Sequence, residues 1–392
     1  MSPAFTRVIE AGAWLVAVSW VLKLVEAAVG LPKIANLLEA EYDTMPAHVP
    51  SLTVIVPARN EETGIRACLE SLLGQDYPNL RIIGVDDRSS DRTGEMMEEF
   101  AAEYPERLRV MHIAELPPDW LGKTHAMAMA AGRSDSEWLL FTDGDILFRA
   151  DSLRRSLAYA VASRADHLVT VPTTIIKRWD EGALLGFFQI FGLWAARPWK
   201  VADLKAKRDA IGIGAFNMVR REAYEQVGGF EALRMEIVED IGFGRRIKRT
   251  GLRQRIAFGR GLVSVHWAPG AFGIVEVMTK NIFSAFRFYV SLTLVACGWL
   301  AMFCVAPVFG LLVTGTRVPA SLTLLAVGGV YWLYGRTSGI SAWQALLSPF
   351  AAMLFLYTLL RSMVTTLRQG GVVWRGTFYP LERLRKFAAP LP

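Results

Sequence analysis

Cysteine is scarce in this chain of 392 residues: only Cys68, Cys297 and Cys304 occur. There is no CxxC and no Cys/His ligand spacing, so neither a zinc site nor a disulfide framework is expected. The five histidines are scattered. Runs of Lys and Arg bearing a nucleic-acid motif are missing, so no nucleic-acid partner is expected even though the formal charge is +6. No long linker, low-complexity tract or internal repeat is present. Gly122-Lys123-Thr124 looks like the end of a P-loop, but position 117 is proline where that loop requires glycine, and a Walker A reading fails.

Apolar residues are plentiful. They make up 52% of the chain, and the mean hydropathy is +0.29. Both values point to membrane segments. Residues 11–31 are about as long as a bilayer-spanning helix. They lack the small-residue cleavage site of a signal peptide and are read as a retained helix, with an interfacial placement as the alternative. Lys23 and Glu26 can pair there on one helix face. Three more apolar stretches run over about 288–314, 318–334 and 343–366, followed by a basic tail with Arg368, Arg375, Arg383, Arg385 and Lys386. The positive-inside rule puts that tail in the cytoplasm. If the catalytic zone is cytoplasmic too, these three stretches must make an even number of crossings, and one is re-entrant or interfacial. The expected division is a membrane or interfacial helix in 1–45, a catalytic domain in 46–280, membrane segments in 281–367 and a basic tail in 368–392.

Between the membrane zones, short apolar strands alternate with amphipathic helices. Leu52–Val56, Arg81–Val85, Leu108–Ile113, Trp138–Phe141 and Leu168–Val171 read as strands, and Ile65, Cys68, Leu69, Leu72 and Leu73 have helical spacing. Ser90 or Asp91 can cap the helix after the second strand. Such alternation predicts a mostly parallel sheet with helices on both faces and ligands at the carboxyl ends of the strands. Polar residues gather at those ends: Arg59-Asn60-Glu61, Asp86-Asp87 and Asp143-Gly144-Asp145.

Asp143 and Asp145 interrupt an apolar run, and buried carboxylates need a partner. A DxD pair at a strand end suits Mg²⁺ or Mn²⁺; Asp-Gly is also a common turn pair. In 85–93, VDDRSSDRT, helix capping explains the serines and Asp91 but not Asp86 and Asp87. Lys123 opens a helix and can serve a phosphate or ribose. Glu239 and Asp240 also open a helix, where carboxylates suit the macrodipole, and Ile241, Phe243 and Ile247 can face a core. The small residues of GIGAF, starting at Gly212, allow close backbone approach to a ligand.

Taken in order, PARNEE, VDDRSSDRT, LGKTHA, DGD, GAFNMVRREAYEQVGGF and EDIGFGRRIKRTG resemble family 2 glycosyltransferases of the GT-A fold. Within that family the chain looks most like membrane-bound, lipid-modifying members such as ceramide and hopanoid-associated glycosyltransferases. The resemblance covers roughly 50–270 and implies a Rossmann-like, mostly parallel sheet flanked by N- and C-terminal transmembrane helices. It also implies residue roles. Pro57, Arg59 and Glu61 line the nucleotide pocket, Asp86 and Asp87 hold the base and ribose of uridine, and Lys123 flanks the nucleotide. Asp143 and Asp145 hold the metal, Asp143 also facing the nucleotide sugar; His266, in SVHW after a strand-like run, reads either as a structural histidine or as a third metal ligand. Asp240 is the catalytic base, with Glu239 beside it. The (Q/R)xxRW motif of processive synthases is missing from 278–288, where Lys280 or Arg287 could serve the diphosphate instead.

The aromatic run 183–199 is either a core helix or an element at the bilayer surface, with Lys200, Lys205, Lys207 and Arg208 at headgroups. The expected activity is inverting, metal-dependent, non-processive transfer from a UDP-sugar to a membrane lipid, at the cytoplasmic face of a bacterial inner membrane. The competing expectations are a polysaccharide synthase and a non-catalytic membrane scaffold or transporter with a nucleotide-binding domain.

Overall fold

In the computed structural model, residues 3–387 are described, so positions 388–392 of the expected basic tail lie outside the described residues. The short apolar runs form strands: β1 (Ala35–Asn36), β2 (Leu52–Ala58), β3 (Leu80–Asp87), β4 (Leu108–Ile113), β5 (Trp138–Phe141), β6 (Leu147–Phe148), β7 (His167–Thr170), β8 (Thr173–Thr174), β9 (Asn217–Arg220), β10 (Gln254–Phe258) and β11 (Val263–Val265). Eight make one sheet in the order β1-β10-β7-β9-β5-β2-β3-β4. Its pairings are parallel except for β9, which runs antiparallel to β5 and β7. β6, β11 and β8 form a small second sheet.

β2 is buried along its whole length because both faces are covered. Val54, Val56 and Ala58 pack with Cys68, Leu69 and Leu72 of helix Ile65–Leu73. Ile55, pointing the other way, packs with Ala126, Met127 and Ala130 of helix Gly122–Ala131. This two-residue alternation is that of a strand between two helical layers. Pro57 sits in β2 opposite Val85 of β3. β2 stops pairing with β5 at Ile55, so the proline's missing N–H interrupts no bond on that side. The chain leaves β2 toward β3 on one side and adds β5 on the other, which opens a crevice at the carboxyl end of β2.

The chain divides into two compact units. One contains Ile34–Ile175, Ala196–His266 and the segment from Arg375 onward; the other contains the chain through Lys33, Ile176–Ala195 and Trp267–Trp374. These limits differ from the sequence division at both ends of the catalytic zone. Residues 34–45 join the sheet unit because β1 pairs with β10 and Asp43 binds Arg154 at 2.7 Å and Arg155 at 2.5 Å. Residues 176–195 join the apolar unit because helix Trp179–Ala195 packs Phe187, Phe188 and Phe191 around Phe355. Its aromatic run is therefore core of a helical cluster. Four stretches are long and apolar enough to cross a membrane: Pro3–Lys33, Val290–Gly310, Thr314–Ser338 and Ala342–Gln369.

Helix Glu239–Arg249 buries Phe243 and Ile247 and carries acids in its first turn and bases in its last, as the macrodipole favours. Gly244 lets it lie against segment 211–214. A β-carbon there would stand 2.0 Å from the Ile211 carbonyl oxygen. Gln254 of β10 fixes that segment by accepting from Ile211 N–H at 3.1 Å and donating to its carbonyl at 2.8 Å. Gly244→Ala should therefore cost about 1–3 kcal/mol by overpacking against backbone. A lowered apparent Tm, beside an unchanged Arg249→Ala control at an exposed position, is the expected reading.

Candidate active site

The polar ends of β2, β3 and β5 meet the start of helix Gly122–Ala131 and the start of helix Glu239–Arg249 around one ammonium group. Lys123 Nζ lies 2.6 Å from Asp143 Oδ1 and 2.7 Å from Glu239 Oε1. The lysine side chain is 12% exposed and that of Glu239 8%, so this bridge is largely withdrawn from water. Burial opposes charge on Lys123, but the carboxylates of Asp143 and Glu239 outweigh it and raise its pKa. Burial likewise opposes the charged form of Asp143, and Lys123, helped by Arg375, holds its pKa below the ordinary value.

Two neighbouring acids lack so strong a partner. Burial, then the charge of Asp143, pushes Asp145 up to about 6. Burial pushes Glu61 up to about 7; Arg375 opposes this, while Asp145 and Asp143 add to it. Gly64 and Gly144 let the loop after β2 close on this pair: a β-carbon on Gly64 would stand 3.1 Å from Asp145 Cβ, and one on Gly144 3.6 Å from Glu61 Cγ. Oxygen donors in negative excess, two of them raised chiefly by burial, fit a hard divalent cation, which also takes water and phosphate oxygens. Asp143 and Asp145 are the residues that could hold it. Among the described residues no three His, Cys, Asp or Glu side chains converge as a complete metal cage, so His266 does not close one with the pair.

Asp240 is held by the backbone. Oδ2 accepts from Gly214 N–H at 2.9 Å and Oδ1 from Ile241 N–H at 2.7 Å. Burial, then the adjacent Glu239 carboxylate, pushes its carboxyl up to about 7, with Lys123 opposing. The GIGAF glycines make this possible. A β-carbon on Gly212 would lie 1.8 Å from the Asp240 carbonyl oxygen, and one on Gly214 would lie 3.0 Å from Asp143 Oδ2 and 3.3 Å from Lys123 Nζ. The close approach expected of these glycines is thus to the chain's own catalytic-edge residues.

The remaining expected residues divide by engagement. Asp86 is taken up: Oδ1 accepts from Ser89 N–H at 3.1 Å, and Oδ2 lies 3.1 Å from His112 Nδ1. Asp87 is fully buried; Oδ1 accepts from Arg88 Nε at 2.8 Å, and Oδ2 has no partner. Arg59 Nη1 is also buried without a partner, and Pro57 is a buried strand residue. Asp91 does the capping, accepting from Thr93 N–H at 3.0 Å. Lys280 and Arg287 belong to the apolar unit, whereas Arg375, not singled out in the sequence for this role, belongs to the sheet unit, 3.9 Å from Glu61.

Residues 53–228 match the profile of the family described as Glycosyl transferase family 2. The chain is 23% identical over 381 residues to the 4,4'-diaponeurosporenoate glycosyltransferase of Staphylococcus aureus strain USA300, covering 94% of this chain and 99% of that protein. The protein of the same name from the bovine strain RF122 / ET3-1 is 23% identical over 383 residues, with the same coverage. Among solved structures, the mannosyltransferase PcManGT of Pyrobaculum calidifontis, in complex with GDP-Man and Mn²⁺, is similar with a TM-score of 0.51 and 18% identity, covering 92% of this chain and 99% of that one. That likeness is one of fold, and the fold is GT-A.

Removing the Lys123 ammonium leaves Asp143 and Glu239 facing each other without a cation. Lys123→Met should destabilise the protein by about 3–5 kcal/mol. A clear drop in the apparent Tm of the detergent-solubilised protein is expected; an unshifted transition would show that the bridge contributes nothing.

Proposed function

We propose, from the premise that residues 53–228 form a family 2 glycosyltransferase domain, that this enzyme transfers a sugar with inversion from a UDP-sugar to a membrane lipid, once per acceptor. The observation that carries the reading is the separation of acidic roles around Lys123. Asp143 and Asp145 lie on the β5 side, and Asp240, raised to about 7, lies on the helix Glu239–Arg249 side.

In this reaction an acceptor oxygen attacks the anomeric carbon, the bond from that carbon to the diphosphate oxygen breaks, and the acceptor proton passes to Asp240. A base works best with a pKa near the operating pH, and Asp240 has been moved there by burial and Glu239. Its two backbone hydrogen bonds fix the carboxylate's direction. Lys123 keeps Asp143 ionised and holds Glu239 in place. A Mg²⁺ or Mn²⁺ held by Asp143 and Asp145 would neutralise charge on the leaving diphosphate. Asp87 and Arg59, each with an unfilled polar atom, serve the nucleoside and phosphate ends.

A lipid acceptor is supported by the four apolar helices and by relatives named for glycosylating 4,4'-diaponeurosporenoate. Chain path adds a constraint. Ile176–Ala195 leaves the sheet unit and rejoins it after one helix of 17 residues, so this helix lies at the membrane without crossing it. The chain leaves again at Trp267 and returns at Arg375, so an even number of the three later apolar stretches crosses. Leu204, Lys205, Lys207 and Arg208 are exposed on the loop beyond helix Trp179–Ala195, a composition that suits lipid headgroups on the cytoplasmic face.

Asp240→Asn should lower kcat by about 10²–10⁴-fold while UDP still binds; unaltered turnover would remove Asp240 from the mechanism. The base must be ionised, and its pKa is raised, so wild-type activity is complete only well above pH 7, is halved at about 7 and falls further as pH drops. A limb centred instead near the ordinary carboxylate value, or one that persists in Asp240→Asn, contradicts the assignment. Asp145→Ala should abolish the Mn²⁺ dependence of UDP binding, which calorimetry with and without the ion reads directly.

A further inference from the structure

The geometry points to Arg375 as a residue that binds the donor's diphosphate, delivered to the sheet edge by the C-terminal segment 375–387; this rests on the donor-site reading above. Arg375 is the first residue of the chain's return to the sheet unit. It adopts φ +47 and is followed by Gly376 at φ +73. Positive φ at both residues is the geometry of a tight two-residue hairpin turn. The turn brings its guanidinium among the site acids.

That guanidinium is not satisfied where it stands. Its side chain is 20% exposed, and Nη2 is 3.9 Å from Glu61 Oε1, too far for a hydrogen bond. Nη1 is buried with no partner, and so is Nη1 of Arg59. The turn itself lies beside Arg59: a β-carbon on Gly376 would lie 3.5 Å from Arg59 Nη2. Buried donors are normally paired. An unfilled guanidinium donor on Arg375, among the acids that would hold a divalent cation, with a second unfilled donor on Arg59 beside the same turn, describes a socket for a polyanion with phosphate geometry.

The rest of the segment is fastened down. The buried Tyr379 hydroxyl is hydrogen-bonded to the Gly122 backbone. Arg383 Nη1 is 3.7 Å from Asp119 Oδ1, and the Arg234 guanidinium lies 4.9 Å from the centre of the Phe387 ring. A cleft of about 540 Å³ opens between Thr377–Pro380 of this segment and the loop Ala114–Trp120, with Arg88 in its wall. A volume of that order suits a nucleoside. The segment thus supplies one wall of a nucleoside cleft and, a few residues earlier, a cation for the phosphates.

The test compares detergent-solubilised full-length wild type with Arg375→Ala, Arg375→Lys and, as a control at an exposed position on the same segment, Lys386→Ala. Affinities for UDP, GDP and uridine are measured by calorimetry and competition in the presence of Mn²⁺. Loss of a charge-assisted hydrogen bond should weaken UDP binding about 10- to 100-fold in Arg375→Ala. Uridine affinity should be unchanged, Arg375→Lys should be intermediate, and Lys386→Ala should match wild type. Equal losses for UDP and uridine, or UDP binding as tight in Arg375→Ala as in wild type, would overturn the inference while leaving the donor site standing. Wild type that binds neither UDP nor GDP would overturn the donor-site reading and this inference with it. Should Arg375→Ala fail to fold, Arg375→Lys decides alone: it keeps the charge but not the planar fork, and undiminished UDP affinity would remove the bidentate role.

Discussion

One ammonium group organises this site. Lys123 sits between Asp143 from the end of β5 and Glu239 from the start of a helix some hundred residues later, at 2.6 and 2.7 Å. Without it, Glu61, Asp143, Asp145, Glu239 and Asp240 would crowd one sheet edge with little to offset their repulsion. By satisfying two of them, Lys123 leaves the others short of positive charge. Burial above all, with the charges of neighbouring acids, poises Asp145, Glu61 and Asp240 well above the ordinary carboxylate range. The same lysine therefore stabilises one part of the cluster and leaves the rest receptive to a cation or a proton.

Such a cluster depends on a sheet whose strands end together. β2, β3 and β5 run parallel side by side, so the residues just beyond each share one edge. The helix after β4 then brings Lys123 to that edge. The tightest packing lies at Gly212 and Gly244, where segment 211–214 and helix Glu239–Arg249 touch backbone to backbone. Placement of Asp240 is set by those contacts and by Gly214 N–H, so the carboxylate has little freedom.

Much of this was legible in the residues. Leu108–Ile113 and Trp138–Phe141 form strands at their expected limits, and helix Glu239–Arg249 starts at the Glu-Asp pair, because burial pattern and helix charge are local signals. Lys123 was legible as a residue of the site but not as a bridge, since both partners reach it only through strand order. Asp86 shows the opposite limit. Nothing nearby in sequence announces His112, its partner across the β3–β4 pair. Arg375 was hidden by distance along the chain: its neighbour Glu61 lies beyond most of the protein, and the only local sign was a basic residue before Gly376 at the end of an apolar run. The aromatic run of helix Trp179–Ala195 reads equally well as core or as membrane surface, because both bury the same side chains.

The return of the chain at Arg375 also orders the protein's synthesis. Glu61 and Arg59 are made early, and the segment that packs beside them emerges only after the last apolar helix, Ala342–Gln369. A nascent chain on the ribosome holds a complete sheet long before its crevice has all its walls. All four apolar helices are therefore made before the edge of the sheet is closed, and a chain truncated ahead of Arg375 would carry the acids of the site without their C-terminal cover.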